Sequence, residues 1–156
     1  MRIKLLIFTF FLPFLLFAQS KNSKLNVSFT GTYIYSGKAV KKDGEIHGYF
    51  GEIRIKEISK GKIAMAFYIS KGAPGYNSGS FVDTLLIKES QAIYKTECDS
   101  NCTILFKFSR KGVTVSHNDA DGDYNFSCCF GHSVIAHGYF KKTSSKVPII
   151  KDLLIE

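Results

Sequence analysis

The sequence has no tryptophan, only three prolines and no run of five or more basic residues. Lysine and arginine occur in short groups such as Lys41-Lys42 and Lys141-Lys142, so a basic arm for nucleic acid is not expected. After residue 18 no apolar run is long enough to cross a bilayer as a helix, and we predict no integral membrane span. The sequence has no fixed-period repeat and no low-complexity segment, and it therefore predicts one ordinary folded domain.

The first eighteen residues have the order of a secretory signal peptide. Met1–Lys4 is basic, Leu5–Phe17 is apolar except for Thr9 and Pro13, and Ala18 is the small residue before the expected cut. No cysteine for lipid attachment lies near that cut. We predict a signal peptide over residues 1–18, a flexible leader over 19–26, and a secreted or periplasmic protein.

The net charge is +8, and removal of the two cations of the signal leaves +6. These charges are scattered along the chain, so their simplest interpretation is a soluble basic surface. Such a surface could also favour anionic envelope components, either phospholipid headgroups or acidic glycans.

Alternation of apolar residues with a period of two predicts strands throughout residues 27–145. Gly51, Ile53 and Ile55 share one face, and the row from Ile63 to Ile69 repeats the pattern. About eight strands separated by turn residues predict an all-β fold, a single antiparallel barrel or a flattened sandwich. The last strand is predicted over 133–140. In the tail, residues 146–156, a short helix from Pro148 is expected, with an edge strand or a partner-binding tail as alternatives.

Two loops are the candidate binding surfaces. Residues 71–79 contain three glycines and one proline, which indicates a mobile loop, and residues 118–123 are acidic. Alternating carboxylates can bind calcium, but the glycine and glutamate that an EF-hand needs are misplaced here, so a solvated turn is favoured. The candidate binding residues are Gly72, Pro74, Tyr76, Asn77, Asp119, Asp121 and Asp123.

Four cysteines in an exported chain indicate two disulfides. A ring between the neighbours Cys128 and Cys129 would be strained, so each bridge should join the 98–102 segment to the 128–129 segment. Cys102 shares the apolar face of Ile104, and its bridge is expected to be buried. The pairing Cys102–Cys129 with Cys98–Cys128 is favoured. The other pairing, Cys102–Cys128 with Cys98–Cys129, stays open.

Zinc is the alternative interpretation of the cysteines. Cys98, Cys102, Cys128 and Cys129 together with His132 could supply four ligands, but their spacing lies outside the common zinc patterns. Exported thiols are also normally oxidised. We therefore expect no metal and no cofactor.

The sequence does not indicate catalytic machinery. His132 and His137 are five residues apart on the predicted last strand, which would direct them to opposite faces. His47 and His117 have no nucleophile motif beside them, and the chain has no glycine-rich phosphate loop. The chain is expected not to be an enzyme.

The stretch from Cys129 to Phe140, CFGHSVIAHGYF, resembles the C-terminal Cys-Phe-Gly…Gly-Tyr signature of small uncharacterised exported bacterial β proteins. The Cys102–Phe108 segment is similar to the strand that usually precedes it. The pattern of short strands with a disulfide also looks, more loosely, like periplasmic lysozyme inhibitors of the MliC type and like calycin barrels. Gly31-Thr32-Tyr33 stands where a calycin has Gly-x-Trp. The resemblance implies a barrel, and for a lysozyme inhibitor an inhibitory loop.

These observations predict an exported, non-catalytic binding protein that uses loops on a rigid barrel. The alternatives are an inhibitor of an envelope-targeting hydrolase and a structural envelope protein. The expected partner is an unknown small ligand or an envelope protein. An apolar cavity of roughly 300 Å³ or more would favour a small ligand, whereas a protruding loop tip would favour an inhibitor.

Overall fold

A computed structural model of the chain describes residues 27–96, 100, 102–119 and 127–151. In these residues the predicted all-β fold is confirmed, and the single helical element is a short 3-10 turn, Ser127–Cys129. No helix in the described ranges is long and apolar enough to cross a membrane. The strands are β1 (Gly31–Tyr35), β2 (Val40–Lys42), β3 (Glu45–Ser59), β4 (Lys62–Gly72), β5 (Ser78–Leu86), β6 (Gln91–Lys95), β7 (Cys102–Phe108), β8 (Gly112–Asp119) and β9 (Gly138–Ser144).

Eight strands form one antiparallel path in the order β5-β4-β3-β1-β9-β8-β7-β6, and β2 pairs with β3 beside it. The two edge strands, β5 and β6, are consecutive in sequence. Glu89 and Ser90, both with positive φ, make the tight turn between them, and Lys88 pairs with Gln91. Phe81 of β5 stacks on Tyr94 of β6 with ring centroids 3.7 Å apart. The sheet is therefore a nearly closed barrel.

Large side chains fill the interior of the barrel. Tyr33, Phe67, Phe106 and Phe140 are completely buried, and the Phe67 ring lies 5.6 Å from that of Phe106 and 5.8 Å from that of Phe140. The alternating rows of β3, β4 and β7 predicted from sequence all point into this core. An eight-stranded barrel has an interior just wide enough for side chains, and here side chains occupy it.

The antiparallel pairing gives the barrel two distinct ends. The first end carries loop 73–77, between β4 and β5, and residues 127–137, which we call the closing segment because they cross that end. It also carries the disulfide described below, so we call it the disulfide end. The other end carries the turns at 60–61, 89–90 and 110–111 and the chain after β9. Lysine and arginine are frequent in or beside these turns, and we call it the basic end.

The predicted last strand is wrong in its position, because β9 begins only at Gly138. Val134 and Ala136 are buried and alternate with half-buried neighbours, which imitates a strand. However, the N–H of Ile135 donates to the Tyr49 hydroxyl and the N–H of Ala136 donates to His117 Nδ1. Side chains rather than a neighbouring strand bind this backbone.

Lys41 and Lys42 belong to β2, and Asp43-Gly44 makes the turn into β3. One further prediction needs correction. In the tail, residues 148–151 are irregular rather than helical, and residues 152–156 lie outside the described part. The predicted signal peptide and leader, residues 1–26, also lie outside it.

Candidate functional site

The first candidate loop is shorter and more ordered than its composition predicts. β4 continues to Gly72 and β5 begins at Ser78, so the loop is residues 73–77, with a cis peptide before Pro74. The N–H of Ala73 donates to the carbonyl of Ile46 (2.7 Å) and the N–H of Tyr76 donates to that of Gly72 (2.9 Å). The expectation of a mobile loop does not fit these bonds, because they fix the loop to β3 and to the end of β4.

The closing segment supports the same loop from the other side. The N–H of Gly131 donates to the carbonyl of Ser78 (2.8 Å), and the side-chain amide of Asn77 donates to the carbonyl of His132 (3.2 Å). Phe130 is buried at the start of the segment, and a side chain at Gly79 would overlap its ring. The glycine therefore lets β5 pack directly against Phe130.

Three aromatic side chains on the outside of β3, β4 and the loop form what we call the aromatic surface: Phe50, Tyr68 and Tyr76. The Phe50 ring centroid lies 6.0 Å from that of Tyr68 and 6.4 Å from that of Tyr76. Tyr76 is 39% exposed, although its hydroxyl accepts the N–H of Ile46 at 3.0 Å. The aromatic surface is thus accessible and held in place at the same time.

An ion pair borders the aromatic surface. Arg54 Nε lies 2.7 Å from Glu52 Oε1, and Glu52 stands directly opposite Tyr68 in the β3–β4 register. The pair places one donor group and one acceptor group beside the rings without adding net charge.

A second aromatic group closes the disulfide end from inside. The Tyr49 hydroxyl donates to the Ser133 carbonyl at 3.3 Å, and the His137 ring packs edge-on against Tyr49 at 4.8 Å. Tyr35 packs against the same two rings. Burial, and then the neighbouring Tyr49, raise the pKa of Tyr35. This group fixes the closing segment to β1 and β3.

The predicted pairing Cys102–Cys129 is wrong, because Cys102 pairs with Cys128 across a Cα–Cα distance of 5.2 Å. The expected burial of the Cys102 bridge is confirmed, since both residues are at most 2% exposed. Cys128 points inward together with Phe130, two residues later, whereas Cys129 is exposed and is also disulfide-bonded. The apolar Phe130 was the sequence signal that would have selected Cys128. Cys98 lies outside the described residues.

The histidine beside the disulfide is His117 and not His132. His117 Nε2 lies 3.5 Å from the Sγ atoms of both Cys102 and Cys128. These three side chains are also the group of possible metal ligands that the described residues bring together. His117 was missed from sequence because its partners lie on β7 and in the closing segment, far away along the chain.

The hydrogen bonds of His117 argue against a metal at this point. Its Nδ1 accepts the N–H of Ala136 at 3.2 Å, so a neutral ring carries its proton on Nε2, towards the sulfur atoms. A histidine that binds a metal needs the opposite arrangement, with an unprotonated ligating nitrogen and the other N–H donating to an acceptor. The geometry instead suits a hydrogen-bond donor beside a disulfide.

The other predicted site residues are dispersed. Asp119 belongs to the backbone of β8, where it pairs with Cys102 rather than standing in a loop. Asp121 and Asp123 lie outside the described residues. His132 and His137 lie in the closing segment, which is not a strand, so the prediction that they face apart on one strand is wrong. His47 lies on β3 with Glu45 at 4.0 Å.

Grooves of the described surface lie outside the filled barrel. One of about 560 Å³ lies between residues 27–29 and the β3–β4 turn, and one of about 630 Å³ follows the seam between β5 and β6. A third, of about 530 Å³, lies beside Arg110 and Lys141 at the basic end. Among the described residues, large side chains such as Tyr33, Phe67 and Phe106 occupy the interior of the barrel.

Comparison of the chain with protein-family models, with curated proteins and with solved structures gives no match.

Proposed function

We propose that the chain is a non-catalytic binding protein, exported to the periplasm or beyond, whose ligand docks on the aromatic surface at the disulfide end. The disulfide fits an oxidising compartment. The observation that carries the proposal is the fixation of Tyr76, which is bonded through both its N–H and its hydroxyl and still exposes 39% of its surface.

Fixed aromatic side chains suit a binding surface. Tyrosine provides a large contact area with few rotatable bonds, so little conformational freedom remains to be lost when a ligand binds. Phe50 and Tyr68 extend the area beside Tyr76, and Glu52 and Arg54 offer polar contacts at its border. The ligand that fits has an apolar face and polar groups at its edge.

The path of the loop favours surface docking over inhibition by loop insertion. The Tyr76 hydroxyl is bonded to Ile46 of β3, so the loop lies against the barrel rather than projecting into the cleft of a partner. The filled interior favours the outer surface over an internal pocket in the same way.

The positions of the histidines support a role without catalysis. His117 directs Nε2 to the buried sulfur atoms, and His137 Nδ1 bonds to the Ile135 carbonyl within the closing segment. An enzyme needs its acid, base and nucleophile within hydrogen-bond reach of each other. These rings serve the packing of the disulfide end instead.

The test is a pull-down from the envelope extract of the producing cell, with mass spectrometry of what binds. Two variants, Tyr76→Ala and Tyr68→Ala, should each lose most of the material that the unchanged chain retains. Two variants are needed because Tyr76→Ala also removes the hydrogen bond to Ile46.

Tyr139→Ala is the matched control, because Tyr139 is 38% exposed but lies on β9, away from the aromatic surface. It should retain the bound material. Equal retention by Tyr68→Ala and Tyr139→Ala, with unchanged melting temperatures, would refute docking on the aromatic surface.

A further inference from the structure

The basic end collects the excess positive charge of the chain. Ranges 57–62, 86–91, 109–112 and 141–149 contain eight lysines and arginines and two glutamates, a net charge of +6. Residues 19–156 also carry +6, which is +8 less the two cations of residues 1–18. The positive and negative charges in the rest of residues 19–156 therefore cancel. The eight cations are Lys60, Lys62, Lys88, Arg110, Lys111, Lys141, Lys142 and Lys146.

Most of this charge faces solvent. Seven of the eight cations are exposed, and only Lys142 is half-buried, with its ammonium donating to the Ser28 carbonyl at 3.3 Å. Of the two carboxylates, that of Glu57 accepts hydrogen bonds from the Ser28 hydroxyl and the Phe29 N–H. The Glu57 carboxylate thus binds Ser28 and Phe29. The seven exposed cations can contact a partner.

The cations around the groove beside β8 and β9 stand on a fixed backbone. Ser109 closes the turn at 110–111 with hydrogen bonds to and from Gly112, and the N–H of Lys142 donates to the Lys111 carbonyl at 2.9 Å. Arg110, Lys111 and Lys141 line this groove, and none of its lining residues is acidic. The positive charge is therefore held together rather than scattered.

The same end exposes aliphatic side chains. Ile58 is 54% exposed and Leu86 is 62% exposed, in or beside the turns of the basic end, while Val147 (66%) and Ile149 (73%) follow β9. Exposed aliphatic residues beside clustered cations are the pattern of proteins that bind at a lipid surface, because apolar contact and attraction to anionic headgroups add to each other.

We propose that the basic end binds peripherally to a membrane surface that contains anionic phospholipid. The seven exposed cations contact lipid phosphates, and Val147 and Ile149 enter the boundary between headgroups and acyl chains. A soluble polyanion would use the cations but would give the aliphatic side chains no role. The proposal is independent of the aromatic surface, which lies at the opposite end of the barrel and would face away from the membrane.

The test measures partition of the chain, as recovered from the producing cells, onto vesicles of equal parts phosphatidylglycerol and phosphatidylcholine. Arg110→Gln/Lys111→Gln should weaken partition about thirty-fold, from the usual gain per basic residue at an anionic surface. Val147→Ser/Ile149→Ser should weaken it about tenfold. Residues 1–26 are the same in all variants, so their own affinity for lipid cancels in the comparison.

Each variant has a matched control at the disulfide end. Lys41→Gln/Lys42→Gln removes the same charge from exposed β2, and Val40→Ser removes an aliphatic side chain that is 60% exposed. Both controls should change partition no more than about twofold, which is the size of a general net-charge effect. Added salt should reduce the contribution of Arg110 and Lys111, because screening weakens attraction between exposed charges.

Three results would overturn the proposal. Equal loss in Lys41→Gln/Lys42→Gln would show that only net charge matters. Equal partition onto pure phosphatidylcholine would show that the cations have no role. Binding to polygalacturonate that depends on Arg110 and Lys111, without binding to vesicles, would assign the groove to an acidic polysaccharide instead. Tyr76→Ala should still bind the vesicles. This result would separate membrane binding by the basic end from ligand binding by the aromatic surface.

Discussion

At the disulfide end a covalent bond fixes the closing segment to β7, and that segment in turn carries hydrogen bonds to loop 73–77. At the basic end residues 27–30 cross the barrel with no covalent link. They are held by Phe29, which packs on Phe108 at 5.0 Å, and by the carboxylate of Glu57. The two ends of one barrel are therefore closed by bonds of different strength.

The difference matches the surfaces that each end presents. The proposed binding surface of fixed aromatic rings would need a rigid support, and the disulfide end has a buried disulfide and the buried Phe130. Cations gain little from rigidity, because long side chains adjust to a mobile layer of headgroups. We infer that the disulfide end is built for a defined contact and the basic end for an adaptable one.

Truncation of the phenylalanine that closes each end should show the largest difference in stability between the two ends. Phe130→Ala should lower the free energy of unfolding by about 3–5 kcal/mol, because Phe130 is 5% exposed and packs on Phe67. Phe29→Ala should cost about half as much, since Phe29 is only partly buried. Urea unfolding measures both. A larger loss for Phe29→Ala would contradict the ranking of the two ends.

Removal of the disulfide should loosen only one end. Cys102→Ala/Cys128→Ala opens a link of 26 residues, worth at most about 3.5 kcal/mol in the chain-entropy model, because the disulfide of the neighbouring Cys129 stays closed. Hydrogen exchange at Gly131 should accelerate more than exchange at Phe29, because the Gly131 amide lies in the closing segment and donates to the Ser78 carbonyl. Equal acceleration at both ends would mean that the barrel opens as one unit.

Alkaline pH should weaken the basic end through Tyr33. Burial, and then Glu57, raise the pKa of Tyr33 to about 12. A raised pKa favours the protonated form in the folded state, so this contribution is complete below about pH 10 and is lost between about pH 10 and 12, with an upper limit of roughly 3 kcal/mol. The lowered pKa of the neighbouring Lys142, caused mainly by burial, acts in the opposite direction.

Tyr33→Phe is the control for this pH dependence. It removes the ionisable hydroxyl together with its 2.6 Å hydrogen bond to the Phe29 carbonyl. The melting temperature should therefore be lower at neutral pH, but it should fall less steeply with pH above pH 10. Thermal melting across this pH range measures it. An equally steep alkaline loss in Tyr33→Phe would place the titrating group elsewhere, with Tyr35 at the disulfide end as the next candidate, since its pKa is raised as well.

The sequence predicted the barrel well, because alternation of apolar residues is a local signal. Rows such as Ile63 to Ile69 could be assigned inward from spacing alone, and the structure confirms them. The closing segment could not be recognised, because Val134 and Ala136 show the same alternation while their backbone partners, Tyr49 and His117, come from distant strands.

The candidate site was only half predictable for the same reason. Tyr76 and Asn77 lay in a loop marked by glycine and proline, but Phe50 and Tyr68 appeared as ordinary strand residues. Only the β3–β4 register brings those two rings together on the outer face. The choice of Cys128 over Cys129 likewise depended on which neighbour faces the core.

Glu57→Ala should have the smallest effect and should show whether the basic end opens independently. The change removes acceptors for the Ser28 hydroxyl and the Phe29 N–H, which costs about 1 kcal/mol because the site is exposed to solvent. Exchange at Phe29 should accelerate about fivefold while exchange at Gly131 stays unchanged. Glu52→Ala is the matched control, since its partner Arg54 lies on the barrel wall. Faster exchange at Gly131 in Glu57→Ala would show that the two ends are coupled through the core, and the contrast between a rigid and an adaptable end would then fail.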